Sequence, residues 1–105
     1  MNIRKYSEKI VDEETGVVVF EAHYDGNQLH REDGPAWIER DRLTGRETTE
    51  WWYQNGLRHR EDGPAVLEKT DRTGITTLEE HWQEGELIEQ NQKTIRSLRP
   101  MVPSI

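Results

Sequence analysis

Cysteine is absent from the chain, which excludes disulfides, thiolate nucleophiles and Cys-ligated zinc. No run of ~18 apolar residues occurs, so no segment has the make-up of a membrane-spanning helix. Residues 1–6 carry basic groups with no apolar stretch behind them, which is not a secretory signal. These absences set the expectation of a cytoplasmic protein with no membrane partner. The three serines, Ser7, Ser97 and Ser104, lie apart from the rest of the chemistry, and no Ser–His–Asp arrangement forms. The glycines are spread singly, so there is no phosphate-cradling loop. Leu, Ile, Val and Phe together number 21 of 105 residues, a thin supply close to the disorder limit. Four Trp and three Tyr pull the other way, because each can bury a large apolar area. The formal net charge is −7, and residues 1–90 hold all 21 acidic residues against 11 of the 14 basic ones. Such an excess repels nucleic-acid backbones and anionic lipid.

What is present is a repeat. His30-Arg31-Glu32-Asp33-Gly34-Pro35-Ala36 recurs unchanged as His59-Arg60-Glu61-Asp62-Gly63-Pro64-Ala65, an offset of 29 residues. The same offset aligns Thr15-Gly16, Thr44-Gly45 and Thr73-Gly74, and also Glu21, Glu50 and Glu79. It aligns Tyr24, Tyr53 and Trp82 as an aromatic column, and Asp12 with Asp41. A disordered chain has no reason to keep aromatics in register, so the repeat outweighs the composition. The units run over about 15–43, 44–72 and 73–90, inside one domain of residues 1–90.

Each unit reads as two strands and two turns. Residues 17–24, 46–53 and 75–82 are rich in Val, Thr and aromatics, as strands are. Shorter strands are expected over 36–41 and 65–70, with an opening strand over 3–12. Thr-Gly turns join short to long strands, and Asp-Gly-Pro breaks the ladder between units. The expected fold is all-β: a single-sheet antiparallel meander of stacked hairpins, about six strands in all. Alternation assigns Phe20, Ala22, Tyr24, Ala36, Ile38, Trp51, Tyr53, Ala65, Leu67, Leu78 and Trp82 to a core face. The opposite face then carries Val19, Glu21, His23, Trp37, Glu39, Glu50, Trp52, Val66, Glu68, Glu79 and His81. Ile88, Ile95 and Leu98 share one helical stripe, so residues 88–99 predict a short C-terminal helix ahead of Pro100. Residues 91–105 form a basic tail.

The stretches Tyr24–Ala36 and Trp52–Ala65 resemble MORN-type repeat variants. Those have an aromatic, then Asn-Gly or Asp-Gly, then a Leu-His stretch and a glycine. The "LHREDGPA" wording is similar to the form scattered through bacterial, bacteriophage and giant-virus proteins. The likeness covers residues 15–87 and implies a row of stacked hairpins. This unit is longer than the usual MORN spacing, and the third copy departs at Leu87-Ile88-Glu89. The resemblance implies scaffolding and interaction modules, some of them labelled antitoxins.

His30 and His59, each three residues before an aspartate, are the best candidate metal ligands by residue type. Repeats, however, set equivalent side chains in a row and do not converge them. The expectation is that each His and Asp serve the Gly-Pro turn of their own loop, with no metal and no cofactor. Glu21, Glu50 and Glu79, with Glu39, Glu47 and Glu68, resemble catalytic carboxylates only in number. A meander offers a surface instead of a cleft, and cross-strand ion pairs with Arg40, Arg46 and Lys69 suit them better. Trp37, Trp52, His23 and His81 among acidic side chains are what a docking surface carries; the alternative is that the tail helix or a second copy of the chain covers those tryptophans.

The functional expectation is a non-enzymatic, protein-binding module. It would act as a stoichiometric inhibitor of the antitoxin, immunity or phage anti-defence kind, directed at a basic nucleic-acid-handling protein. The expected contact residues are Glu21, Trp37, Glu39, Glu50, Trp52, Glu68 and Glu79. Direct nucleic-acid binding is not expected; a homodimer is compatible. A structural scaffold or self-assembling accessory protein is the first alternative, and a small metal-dependent enzyme the second.

Overall fold

The computed structural model describes residues 4–70 and 73–92, the last of these by its backbone alone. Ten strands follow one another: β1 (Lys5–Val11), β2 (Val18–Asp25), β3 (Gln28–Leu29), β4 (Trp37–Arg40) and β5 (Glu47–Trp51). Then come β6 (Tyr53–Gln54), β7 (Leu57–Arg58), β8 (Val66–Lys69), β9 (Thr76–Gln83) and β10 (Glu86–Gln92). The main sheet runs β1-β2-β4-β5-β8-β9-β10, with β3 beside β2, and β6-β7 form a separate ribbon. Every pairing is antiparallel. The protein is an all-β meander, and the six principal strands start and stop within two residues of where the sequence places them. No helix among the described residues is long and apolar enough to cross a membrane.

The Thr-Gly turns explain the hairpins between short and long strands. Gly16, Gly45 and Gly74 have φ of 77, 74 and 71°, a region where a Cβ is unfavourable. Asp12 Oδ1 accepts from the backbone N–H of Glu14 and Thr15, both at 3.0 Å. Asp41 Oδ2 does the same for Leu43 and Thr44. Arg42 then reaches from the second unit's turn to Asp12 of the first at 2.6 Å. That contact, with the Thr15 backbone N–H, holds the Asp12 carboxyl down to about 2.

The third unit ends the array by what it lacks. In the first two units the chain leaves the sheet after β3 or β7, enters His-Arg-Glu-Asp-Gly-Pro, and returns as the next short strand. Without that segment the third unit has nothing to divert it. The chain passes a bulge between Leu87 and Glu89 and stays paired with β9 as far as Gln92. Residues 88–92 of the segment read as helical are therefore strand. The remainder of that reading, and most of the basic tail, lies outside the described residues. A unit that departs from consensus at the margin of the described sheet is common in repeat arrays.

Nothing packs on the sheet as a second layer among the described residues. Among the described residues the buried apolar ones are Ala22, Ala36, Ile38, Ala65 and Val66, and no large side chain is fully enclosed. The thinnest dimension is 18 Å. Cohesion must come from side chains packing sideways across each face.

Candidate functional site

Register decides which residues share a face. Ala22 stands opposite Trp37 and Glu21 opposite Ile38; Trp37 faces Trp51 and Ile38 faces Glu50. Across the next pair, Trp51 meets Val66 and Glu50 meets Leu67. Residues directly opposite in a ladder lie on one side of the sheet. The long strands are phased as alternation predicts, but both short strands, β4 and β8, are turned over. Trp37, Glu39, Val66 and Glu68 join Phe20, Ala22, Tyr24, Trp51, Leu78 and Trp82. Ala36, Ile38, Ala65 and Leu67 join Glu21, His23, Glu50, Trp52, Glu79 and His81. The expected contact set is thus divided: Trp37, Glu39 and Glu68 lie on one face, Glu21, Glu50, Trp52 and Glu79 on the other. Alternation fixes phase only within a strand; between strands it depends on the connecting loop, and one residue of slip inverts a whole strand.

The first face is aromatic. Phe20 meets Trp37 edge to face at 4.7 Å, and Trp37 stacks on Trp51 at 5.2 Å. The Arg58 guanidinium continues the line, 5.9 Å from the Trp51 ring, 6.0 Å from Tyr53 and 4.9 Å from Trp82. Its Nε donates to the Tyr53 hydroxyl at 3.1 Å, and its Nη1 lies 3.9 Å from Glu80. Near β1, Tyr6 stacks on Tyr24 at 4.9 Å. Carboxylates stand between the rings: the indole N–H of Trp37 donates to Glu39 and that of Trp82 to Glu80, at 2.8 and 2.9 Å. Burial raises the Tyr24 phenol, and the Glu8 carboxylate beside it raises it further. The main-sheet strands bring Glu8, Glu39, Glu68 and Glu80 to this face, and, among the described residues, no lysine or arginine.

The second face is a charge network. Glu21 is only 12% exposed and lies 3.2 Å from Arg40, 2.7 Å from His23 and 3.7 Å from Arg31. Burial pushes its carboxyl up, yet the bonds from His23 and Arg40 hold it below its ordinary value. The row Glu21, Glu50, Glu79 lies straight across the sheet, two strands apart at each step, or roughly 10 Å. Ile38 and Leu67 fill the gaps between them. Glu47 lies 3.6 Å from Arg40 and still has a raised carboxyl. A hydrogen bond shared with Glu50, then burial and charge repulsion, raises its carboxyl against the pull of Arg40 and Lys69. A raised carboxyl weakens folding at neutral pH and ceases to do so once pH falls through its folded value. Glu47→Gln should therefore stabilise the protein at pH 7, by less than about 1 kcal/mol because the site is partly solvated. Thermal melts should show that gain vanish near pH 4; an equal gain at both values would refute the shared proton.

The His-Arg-Glu-Asp-Gly-Pro loops border this second face. Arg31 Nε bonds Asp33 at 3.2 Å and its Nη1 reaches the Pro35 carbonyl at 3.3 Å. Arg60 repeats both contacts with Asp62 and Pro64 and lies 3.9 Å above the Trp52 ring. The guanidinium lies flat on the glycine: a Cβ on Gly63 would come 2.8 Å from Arg60 Cζ. The histidines look onward to the next unit. The N–H of Asn55 donates to His30 Nδ1 at 2.9 Å, and that of Glu84 to His59 Nδ1 at 3.1 Å. Their structural role is thus to join successive units, whereas the partner expected from sequence was the aspartate of the same loop. That aspartate belongs to the arginine. Among the described residues, no three His, Asp or Glu side chains gather where they could hold a metal ion.

No protein-family model, curated protein or solved structure matches the chain.

The site must accordingly be judged on its own geometry. Sequence reasoning missed Phe20, Trp51 and Trp82 as companions of Trp37, and it passed over Glu8, Glu80 and Arg58. A usable signal was present in Ala36 and Ala65. Both end the repeated segment and both are fully buried, lying in the row that holds His23, Trp52 and His81. Small residues preserved between bulky ones mark the side on which the arginine clasp closes, and that fixes the phase of the short strands.

Proposed function

We propose that this chain is a non-catalytic, MORN-like binding module that docks a basic protein on its aromatic, acidic face. The best fit is stoichiometric inhibition of a nucleic-acid-handling protein, in the manner of an antitoxin, an immunity protein or a phage anti-defence factor. One observation carries the reading: Glu8, Glu39, Glu68 and Glu80 share a face with half-buried rings, and among the described residues the main-sheet strands bring it no cation, Arg58 of the β6-β7 ribbon reaching Glu80 alone. Carboxylates set at fixed heights among rings compete with phosphate for Lys and Arg, and the rings supply anchors once water is expelled. The opposite face suits this role less well, because Arg40 and Arg31 already hold Glu21, and Arg60 covers the Trp52 ring. Of the residues expected from sequence, Trp37, Glu39 and Glu68 remain in the docking surface.

The test is competition. A fluorescent duplex DNA bound by an arginine-rich, protamine-like peptide should be released on adding the protein, and less so at higher salt. Glu39→Lys with Glu68→Lys should weaken release at least tenfold, while Glu50→Lys with Glu79→Lys should leave it within about twofold. Loss of equal size from either pair, or no release at all, would refute the assignment.

A further inference from the structure

β1 is exposed along its whole length and pairs on one side only, with β2, among the described residues. Its outer backbone groups are thus open to another strand. Its side chains are sorted by face: Tyr6 and Glu8 lie on the aromatic side, Lys5 and Lys9 on the other, as their partners Tyr24, Ala22, Asp25 and Glu21 require. Tyr6 is 49% exposed. One side of its ring is stacked on Tyr24, and Glu8 follows two residues along the same face.

The molecule already contains a filled version of this arrangement. At Trp82 and Glu80, a ring and a carboxylate two residues apart on one strand hold the Arg58 guanidinium, 4.9 Å over the ring and 3.9 Å from the oxygen. Tyr6 and Glu8 repeat that pairing at the open margin. Self-pairing is a poor use of the edge. The antiparallel registers that overlap the middle of β1 set Glu8 against Glu8, Lys5 against Lys9, or Lys9 against Lys9, and like charges directly opposite are destabilising.

We infer that β1 is the strand-addition site for an extended, arginine-bearing segment of the basic partner, with arginines over Tyr6 and Glu8 and acidic residues beside Lys5 and Lys9. Main-chain bonds to the edge supply affinity, and the two-residue alternation supplies selectivity. Arginine fits better than lysine because its flat guanidinium stacks on a ring and still bonds a carboxylate. The inference rests on the basic-partner reading and adds the route of engagement.

The probe is a capped octapeptide of alternating Arg and Glu, titrated into the full chain and followed by amide chemical shifts. Shifts confined to residues 5–11 and binding at least fivefold weaker for the Lys–Glu peptide are expected. A version N-methylated at alternate amides, which cannot extend a sheet, should not bind. Tyr6→Ala or Glu8→Gln should weaken binding roughly three- to fivefold. Equal binding of the methylated peptide would overturn strand addition and leave the basic-face reading standing. Slow exchange at the β1 amides that face away from β2 without peptide, together with no binding, would mean that the chain fills its own edge, and would overturn it too. If the DNA-release assay also fails, the broader reading falls with it.

Discussion

Trp51→Ala should unfold this protein more effectively than any other single truncation, by about 3 kcal/mol in urea denaturation. Trp51 joins the ring line: Trp37 is stacked on it at 5.2 Å, and the Arg58 guanidinium lies 5.9 Å from its ring. In a two-layer protein such a residue would be one of many core contacts. Here the fully enclosed apolar groups are mostly alanines, and lateral ring packing stands in for a second layer. A single-sheet domain of this size sits near the low end of the usual 5–15 kcal/mol, so the loss should leave a measurable unfolded population. Trp51→Phe separates packing from polarity. The Trp51 indole N–H is buried with no acceptor among the described residues, and an unmet buried donor costs about 1–3 kcal/mol. Phenylalanine keeps most of the stack and removes that donor, so it should fall within about 1 kcal/mol of wild type. A Trp51→Ala loss below about 1 kcal/mol would mean that the sheet is held by its ladders and not by its rings.

The ring line also marks how far sequence could lead. The period of 29, the Thr-Gly turns and the position of the long strand of each unit followed from local chemistry, because φ > 0 glycines and β-rich runs act within a few residues. The pairing of Trp37 with Trp51 did not. It depends on how many residues the loop from Tyr24 to Ala36 spends before re-entering the sheet, a geometric quantity with no local signature. The same limit hid Arg58, which replaces Leu29 of the first unit and looks like an ordinary exposed turn residue until three rings surround it. His30 shows a milder version. That it serves structure was readable from the repeat; that its partner is Asn55, one unit ahead, required the tips to be stacked. Identical loops are informative about local turns and silent about which neighbour they grip. The edge after β9 was not readable: the stripe Ile88, Ile95, Leu98 read as helix, whereas residues 86–92 are strand. The third unit lacks His-Arg-Glu-Asp-Gly-Pro, and its absence leaves β9 to be finished by whatever chain follows.

Replacing Arg40 by alanine is the second large effect, and pH exposes its cause. The side chain bridges strands: it donates to the Val18 carbonyl at 3.1 Å and to Glu21 at 3.2 Å through both terminal nitrogens. Both members of the pair are mostly shielded, 20% and 12% exposed, so removing one leaves a charge with little access to water. A loss of about 2 kcal/mol is expected, below the 3–5 typical of a fully buried pair because solvent still reaches the edge. Glu21 has a lowered carboxyl, so its contribution is complete above the unfolded carboxylate value and fades as pH falls through the folded one. Without Arg40 the carboxyl rises. The deficit of Arg40→Ala should therefore be largest near pH 7 and shrink in acid, as the orphaned Glu21 takes up its proton. Arg40→Lys should recover only part of the loss, since a point charge cannot span Val18 and both contacts to Glu21. Urea midpoints at pH 7 and pH 3.5 test this directly. A deficit of the same size at both would show that Arg40 works by packing its stem across the strands, and the second face would then be a surface of charged side chains with no network beneath it.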